Sequence, residues 1–306
     1  MMTLGRCGGA LVFCTALAST AWGDSVPTPA KRPAAAPAST QAQAHAHASC
    51  DRGQFRLVVD VGHTAASPGA VSARGINEYD FNKRLAARVA QKLRDMGFGR
   101  TILLVTDGPS RRGLVSRVTR SNESRADLFL SIHHDSVPDR MEQTWEFEGK
   151  KQHFNDQYPG HSIFVSVDNP HYQASLLFAT IIGKELKARG MQYTPHYTEA
   201  FMGSRRRLLV DQEAGVYRYD QLIVLRNTHM PAVLLEAGSI INRNEELLLA
   251  AHERQAMIAA AVGAAVDRYC QLHPPAPKDD AVARAPQRNR PSAEPVQVSG
   301  TPTDDQ

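Results

Sequence analysis

Long apolar runs are missing from this chain of 306 residues. No stretch after the N-terminus approaches the ~20 consecutive apolar residues of a membrane helix, which excludes a span in the mature chain. Basic clusters interleaved with aromatics are also missing, and aromatics make up only 7% of the residues. Nucleic acid is therefore excluded as a partner, while the formal net charge of +4 is compatible with an anionic polymer without pointing to one. No internal repeat is present. Cysteine is scarce: of four, Cys7 and Cys14 lie near the N-terminus, leaving Cys50 and Cys270 on either side of the central sequence.

What is there divides into four parts. Residues 1–23 carry Arg6, a short apolar run rich in small residues from 8 to 18, and Ala21-Trp22-Gly23 before Asp24. This is the pattern of a secretory signal peptide, with a retained anchor as the alternative. Residues 24–49 have no Phe, Tyr or Trp. A segment of Ala, Pro, Gln and Ser cannot bury enough surface to offset its ordering entropy, so a disordered linker is expected. Residues 273–306 share that character and are expected to form a disordered tail, which leaves 50–272 as the one folded domain. In an oxidising export compartment, periplasm or cell envelope, Cys50 and Cys270 are candidates for a disulfide, against the alternative of two free thiols. A monomer is expected.

Within 50–272 short β-branched runs alternate with helical periodicity. Strands are expected at 55–61, 101–105, 127–132, 161–167 and 232–235, with 219–225 also pairing into the sheet. Phe81, Leu85, Val89, Leu93 and Met96 mark a helix that Asn77 caps and Asp80 completes as a capping box. Further helices are expected at 114–125, from Tyr172 to the stop at Gly190, and at 244–269. The class is α/β: a single domain with a central, largely parallel twisted sheet flanked by helices. Two stretches, 139–160 and 193–217, show no clear period and are expected to be long loops, one of which forms a lid or wall over the groove.

Ligands of such sheets gather beyond the carboxyl ends of the strands. His63 stands at the end of the first strand, Glu78 opens the following helix, His133 and His134 end the strand at 127–132, and Glu236 follows 232–235. Two imidazoles and a carboxylate that meet at one point form a catalytic-type metal site, with a position left for water. Neighbours along a strand face opposite ways, so only one of His133 and His134 can point at that metal. Asp60 and Asp135 are candidates for orienting the ligands, and Arg74 for pairing with a substrate carboxylate.

Four motifs carry a resemblance. The Gly62-His63 turn with Pro68-Gly69-Ala70, the helix start at Glu78, Ser131-Ile132-His133-His134-Asp135, and Met230-Pro231-Ala232-Val233-Leu234-Leu235-Glu236 resemble the zinc-dependent N-acetylmuramoyl-L-alanine amidases. The resemblance spans residues 56–267 and implies one Zn2+ per chain, bound by His63, Glu78 and His133, with Glu236 as the catalytic glutamate. It implies peptidoglycan as substrate and hydrolysis of the amide between N-acetylmuramic acid and L-alanine of the stem peptide. In some members an inserted element covers the zinc until a partner displaces it, so an activator protein is a candidate partner. The alternatives are a secreted zinc peptidase and a non-catalytic wall-binding protein of the same fold.

Overall fold

Runs such as Leu57-Val58-Val59-Asp60-Val61 are buried along their whole length, as strands covered on both faces must be. The computed structural model describes residues 50–274, so the expected signal peptide, linker and all but the start of the tail lie outside the described residues. In chain order, β1 (Leu57–Val61) leads through a loop into α1 (Glu78–Asp95), β2 (Ile102–Leu104), α2 (Ser110–Glu123) and β3 (Leu128–Asp135). A hairpin of β4 (Gln143–Phe147) and β5 (Lys150–Phe154) follows, then β6 (Ser162–Val165) and α3 (Tyr172–Ala188). The rest is β7 (Leu208–Asp211), β8 (Val216–Arg218), the one-turn α4 (Ile223–Arg226), β9 (Ala232–Ser239), α5 (Arg243–Ala250) and α6 (His252–Leu272).

Seven strands form one sheet in the order β2-β1-β3-β9-β6-β8-β7. The four from β2 to β9 are mutually parallel. β6 runs antiparallel to β9, β8 parallel to β6, and β7 antiparallel to β8. One face of the sheet presents Val59, Leu130, Ile132, Val233 and Leu235 to Leu85 and Val89 of α1, Phe178 and Ile182 of α3, and Val262 and Val266 of α6. The other face presents Val58, Phe129 and Leu234 to α2, α4, Tyr197 and Tyr217. This is the expected α/β architecture. Cys50 and Cys270 are joined as a disulfide, with their Cα atoms 5.3 Å apart.

Several local expectations are corrected. Residues 219–225 do not pair into the sheet: the strand there is β8, and the run that follows is a turn and α4. The segment at 139–160 is no loop but a 3-10 turn and the β4–β5 hairpin, which pairs only with itself. Segment 193–217 holds 3-10 turns as well as β7 and the start of β8. The helix expected at 244–269 is two helices, because Ala251 adopts an extended backbone (φ −71°, ψ 140°) between α5 and α6. α1 starts where expected, yet Asn77 makes no side-chain capping bond. β3 and β9 run past their expected ends, so His133 and Glu236 lie inside strands.

Candidate metal centre

Along β3 and β9 the register sets His133 directly beside Glu236. Residues paired across parallel strands share a face of the sheet. Both side chains therefore emerge on the face of Phe129 and Leu234, toward a cleft of about 410 Å³ that His63, Glu78, His133 and Glu236 help to line.

Glu78 reaches the same place from the first turn of α1. Its Oε2 lies 2.9 Å from His63 Nε2 and its Oε1 3.0 Å from His133 Nδ1. One ligand atom from each of the three residues can be chosen so that all lie within 4.8 Å of one another. The carboxylate is further held by N–H donors: the backbone of Ala70 at 3.1 Å, the Asn82 side-chain amide at 3.0 Å and the backbone of His134 at 3.3 Å. Burial acts to raise the Glu78 pKa, but the hydrogen bonds and charges of His133 and His63 outweigh it and hold the group well below its ordinary range. Burial lowers the His133 pKa, against the pull of Glu78, and so favours the neutral imidazole that binds a metal.

Two glycines make room for this cluster. A Cβ on Gly62 would come within 2.4 Å of His133 Nε2, and one on Gly69 within 2.3 Å of Glu78 Oε2 and 2.8 Å of His63 Nε2. His63 itself has φ 64°, a left-handed conformation uncommon for a residue with a side chain. Arg117 holds that turn. Its Nη2 donates to the His63 carbonyl while its Nε lies 3.3 Å from Asp60 Oδ1.

The proposed orienting acids are placed otherwise than expected. Asp60 accepts from Ser131 Oγ at 2.7 Å and faces Arg117, so it reaches His63 through an arginine and a backbone carbonyl rather than at the ring. Burial raises its pKa to about 6, with Arg117 opposing. Asp135 accepts the Tyr197 hydroxyl at 2.8 Å and touches none of the three candidate ligands. His134 points into the opposite layer, its Nδ1 2.7 Å from Asn82 Oδ1. Asn82 was missed in the sequence. It is one turn beyond Glu78, a buried polar side chain among apolar positions, and that spacing was the available signal.

Arg74 is not free to meet substrate. Its Nη1 lies 2.6 Å from Glu246 Oε2, and its guanidinium packs over Trp145 and Phe147 of the β4–β5 hairpin. None of the cleft-lining residues comes from 139–160, whereas Tyr197, Arg205 and Arg207 of 193–217 form part of the wall. The His63 side chain remains 32% exposed with both segments in place.

Glu236 is half-buried, and its Oε2 is buried with no hydrogen-bond partner. Burial first, then the negative charges of Asp135 and Glu78, hold its pKa well above the ordinary carboxylate value. An unpaired buried carboxyl oxygen on the residue paired with His133 is a group placed to handle a proton.

A model of the N-acetylmuramoyl-L-alanine amidase family matches residues 57–268. The N-acetylmuramoyl-L-alanine amidase AmiA of Escherichia coli (strain K12) is 24% identical over 243 residues, which cover 71% of this chain and 76% of that one. The crystal structure of N-acetylmuramoyl-L-alanine amidase from Clostridium difficile 630 has a TM-score of 0.54 at 19% identity, over 72% of this chain and 98% of that one. The CwlD amidase from Clostridioides difficile, solved in complex with the GerS lipoprotein, has a TM-score of 0.52 at 22% identity, over 71% and 99% of the two chains. The structural likenesses are likenesses of fold.

Proposed function

This chain belongs to the N-acetylmuramoyl-L-alanine amidase family, and we propose that it cuts the peptidoglycan amide with one zinc ion held by His63, Glu78 and His133. The observation that carries the proposal is the convergence of those three side chains, with ligand atoms within 4.8 Å of one another. Two imidazoles and one carboxylate are the donor set of a catalytic zinc site, so the residues present fit the ion. Zinc bound there supplies Lewis-acid chemistry, acidifying a water and polarising the lactyl carbonyl.

The protein's own groups do the remaining work. Glu236 accepts the proton of the attacking water and returns it to the departing alanine nitrogen. Its burial raises its proton affinity, which suits a group that must hold a proton between the two transfers. Asn82 and the Ala70 and His134 N–H groups keep the Glu78 carboxylate in one orientation. Arg117 fixes the backbone on which His63 stands.

The family supports peptidoglycan as substrate and favours neither a peptidase nor a non-catalytic binder. No helix among the described residues is long and apolar enough to cross a membrane. The N-terminal sequence pattern supports an exported enzyme of the periplasm or cell envelope. CwlD is a precedent for a lipoprotein partner, and an activator protein fits the same reading.

Product analysis on purified wall tests the assignment. Free alanine amino termini should appear and the glycan should stay uncut; alanine left attached to the sugar would instead identify a peptidase. In the Glu236→Gln variant zinc content should persist while kcat falls about 10²- to 10⁴-fold. A variant with near-normal turnover would remove Glu236 from the proton path.

A further inference from the structure

The cleft has acids on its floor and bases on its wall. Glu78 and Glu236 line it at the metal cluster, and Arg205 and Arg207 line it from segment 193–217. Three other arginines are held by acids: Arg74 by Glu246 at 2.6 Å, Arg218 by Asp220 at 2.6 Å, Arg243 by Asp156 at 2.5 Å. Among the described residues, neither Arg205 nor Arg207 has an acidic partner.

Arg207 is fixed in place. Its guanidinium carbon sits 3.6 Å from the Tyr219 ring centroid, and its backbone N–H donates to the Tyr197 carbonyl at 2.8 Å. Its Nη1 donates to the carbonyls of Ser204 at 2.9 Å and Arg206 at 2.8 Å. Its Nε is buried with no acceptor. Nε and Nη2 form the side-on edge of the guanidinium that receives a carboxylate in two parallel hydrogen bonds. No described residue supplies an acceptor to Nε. Arg205 is exposed at the same wall.

We propose that Arg205 and Arg207 form a subsite for a carboxylate of the stem peptide, carried one residue beyond the scissile amide. The proposal rests on the amidase reading and adds the specificity of its leaving group. Reach is suitable: the next residue's Cα lies about 5 Å from the scissile nitrogen, and a carboxyl on it extends a further ~2 Å. A cleft of about 410 Å³ holds both points. The guanidinium–carboxylate pairing that the sequence offered at Arg74 is thereby moved to Arg205 and Arg207, because Arg74 is held by Glu246 and does not line the cleft.

The test compares two N-acetylmuramoyl-L-alanyl dipeptides that differ only in carrying a free carboxylate or a carboxamide on the second residue. With zinc-loaded wild-type protein, kcat/KM should favour the carboxylate by about tenfold or more, as expected for a charge-assisted bidentate contact. In Arg205→Gln and Arg207→Gln that ratio should fall toward one, chiefly through KM. Arg207→Lys keeps the charge but removes the side-on edge, and it should also lose most of the preference. Zinc content and a thermal melt confirm that each variant is folded. Equal kcat/KM for both substrates in the wild type would overturn the subsite. So would variants that slow both substrates in parallel with the ratio preserved, because the arginines would then act on Glu236 and not on substrate. If the wild type hydrolyses neither dipeptide nor purified wall, the amidase reading itself fails and the subsite falls with it.

Discussion

Replacing Gly62 with Ala separates the fold from the metal centre. Gly62 is not among the positive-φ glycines, so the backbone there tolerates a side chain. Its N–H donates to the Ile132 carbonyl at 3.0 Å, a bond that alanine keeps. The new Cβ, however, would meet His133 Nε2 at 2.4 Å and Cδ2 and Cε1 at 2.5 Å, where ordinary contact begins at 3.4 Å. The imidazole must retreat by about 1 Å, whereas zinc ligands tolerate about 0.2 Å. A free ring can turn away at little cost to folding, but a ligand that has turned away no longer binds. We expect zinc affinity to fall at least about 100-fold, near 2.7 kcal/mol, with hydrolysis lost at limiting zinc. Competition against a chromogenic chelator gives the affinity, and urea unfolding of the zinc-free protein gives the stability, expected to change by about 1 kcal/mol or less. Zinc affinity within threefold of the wild type would refute the reasoning, since it would mean that His133 does not need the position it occupies.

Other outcomes can be measured on the same protein. Removing the disulfide with Cys50→Ser and Cys270→Ser frees a loop with a sequence separation of 220 residues. In the chain-entropy model this costs up to about 5 kcal/mol; a denaturant midpoint indifferent to reductant and to the double substitution would contradict it. His161 is buried, and burial lowers its pKa from 6.5 to about 4. The unfolded chain therefore takes up this proton first on acidification. The contribution is fully present above pH 6.5 and lost progressively toward pH 4, about 3 kcal/mol in all. Urea titrations of wild type and His161→Phe across this range should show the variant's acid limb flattened by one proton; identical slopes would count against it.

The residues of the candidate metal centre were legible because topology placed them: a strand tip, a helix start and a second strand with a polar end are visible as breaks in apolar periodicity. Glu236 was legible for the same reason, although the strand continues through it to Ser239. What was not legible depended on partners far away in sequence. Trp145 and Phe154 looked aperiodic because the hairpin that carries them is held by the guanidiniums of Arg74 and Arg243, from two other elements. Residues 222–225 are a continuous apolar run that reads as a strand, but Leu222, Val224 and Leu225 pack from a turn and a short helix under the sheet. The break at Ala251 has neither Gly nor Pro to announce it. Asn77 has the chemistry of a cap and makes no capping bond, while Asn242 at the start of α5 accepts from the N–H groups of Asn244 and Glu245 at 3.1 and 2.9 Å.

The pairing of His133 with Glu236 across β3 and β9 has a consequence for how this enzyme can vary. The gap between the proposed ligand and the proposed acid is measured out by the main chain, in the ~4.8 Å step between strands. Loops and the β4–β5 hairpin can be lengthened, shortened or exchanged without recalibrating that gap. Inserting a single residue in β9 ahead of Glu236 would turn the carboxyl into the helical layer and offer Leu235 to the cleft instead. A graft that preserves these two strands as one block should carry the spacing with it, whatever surrounds them.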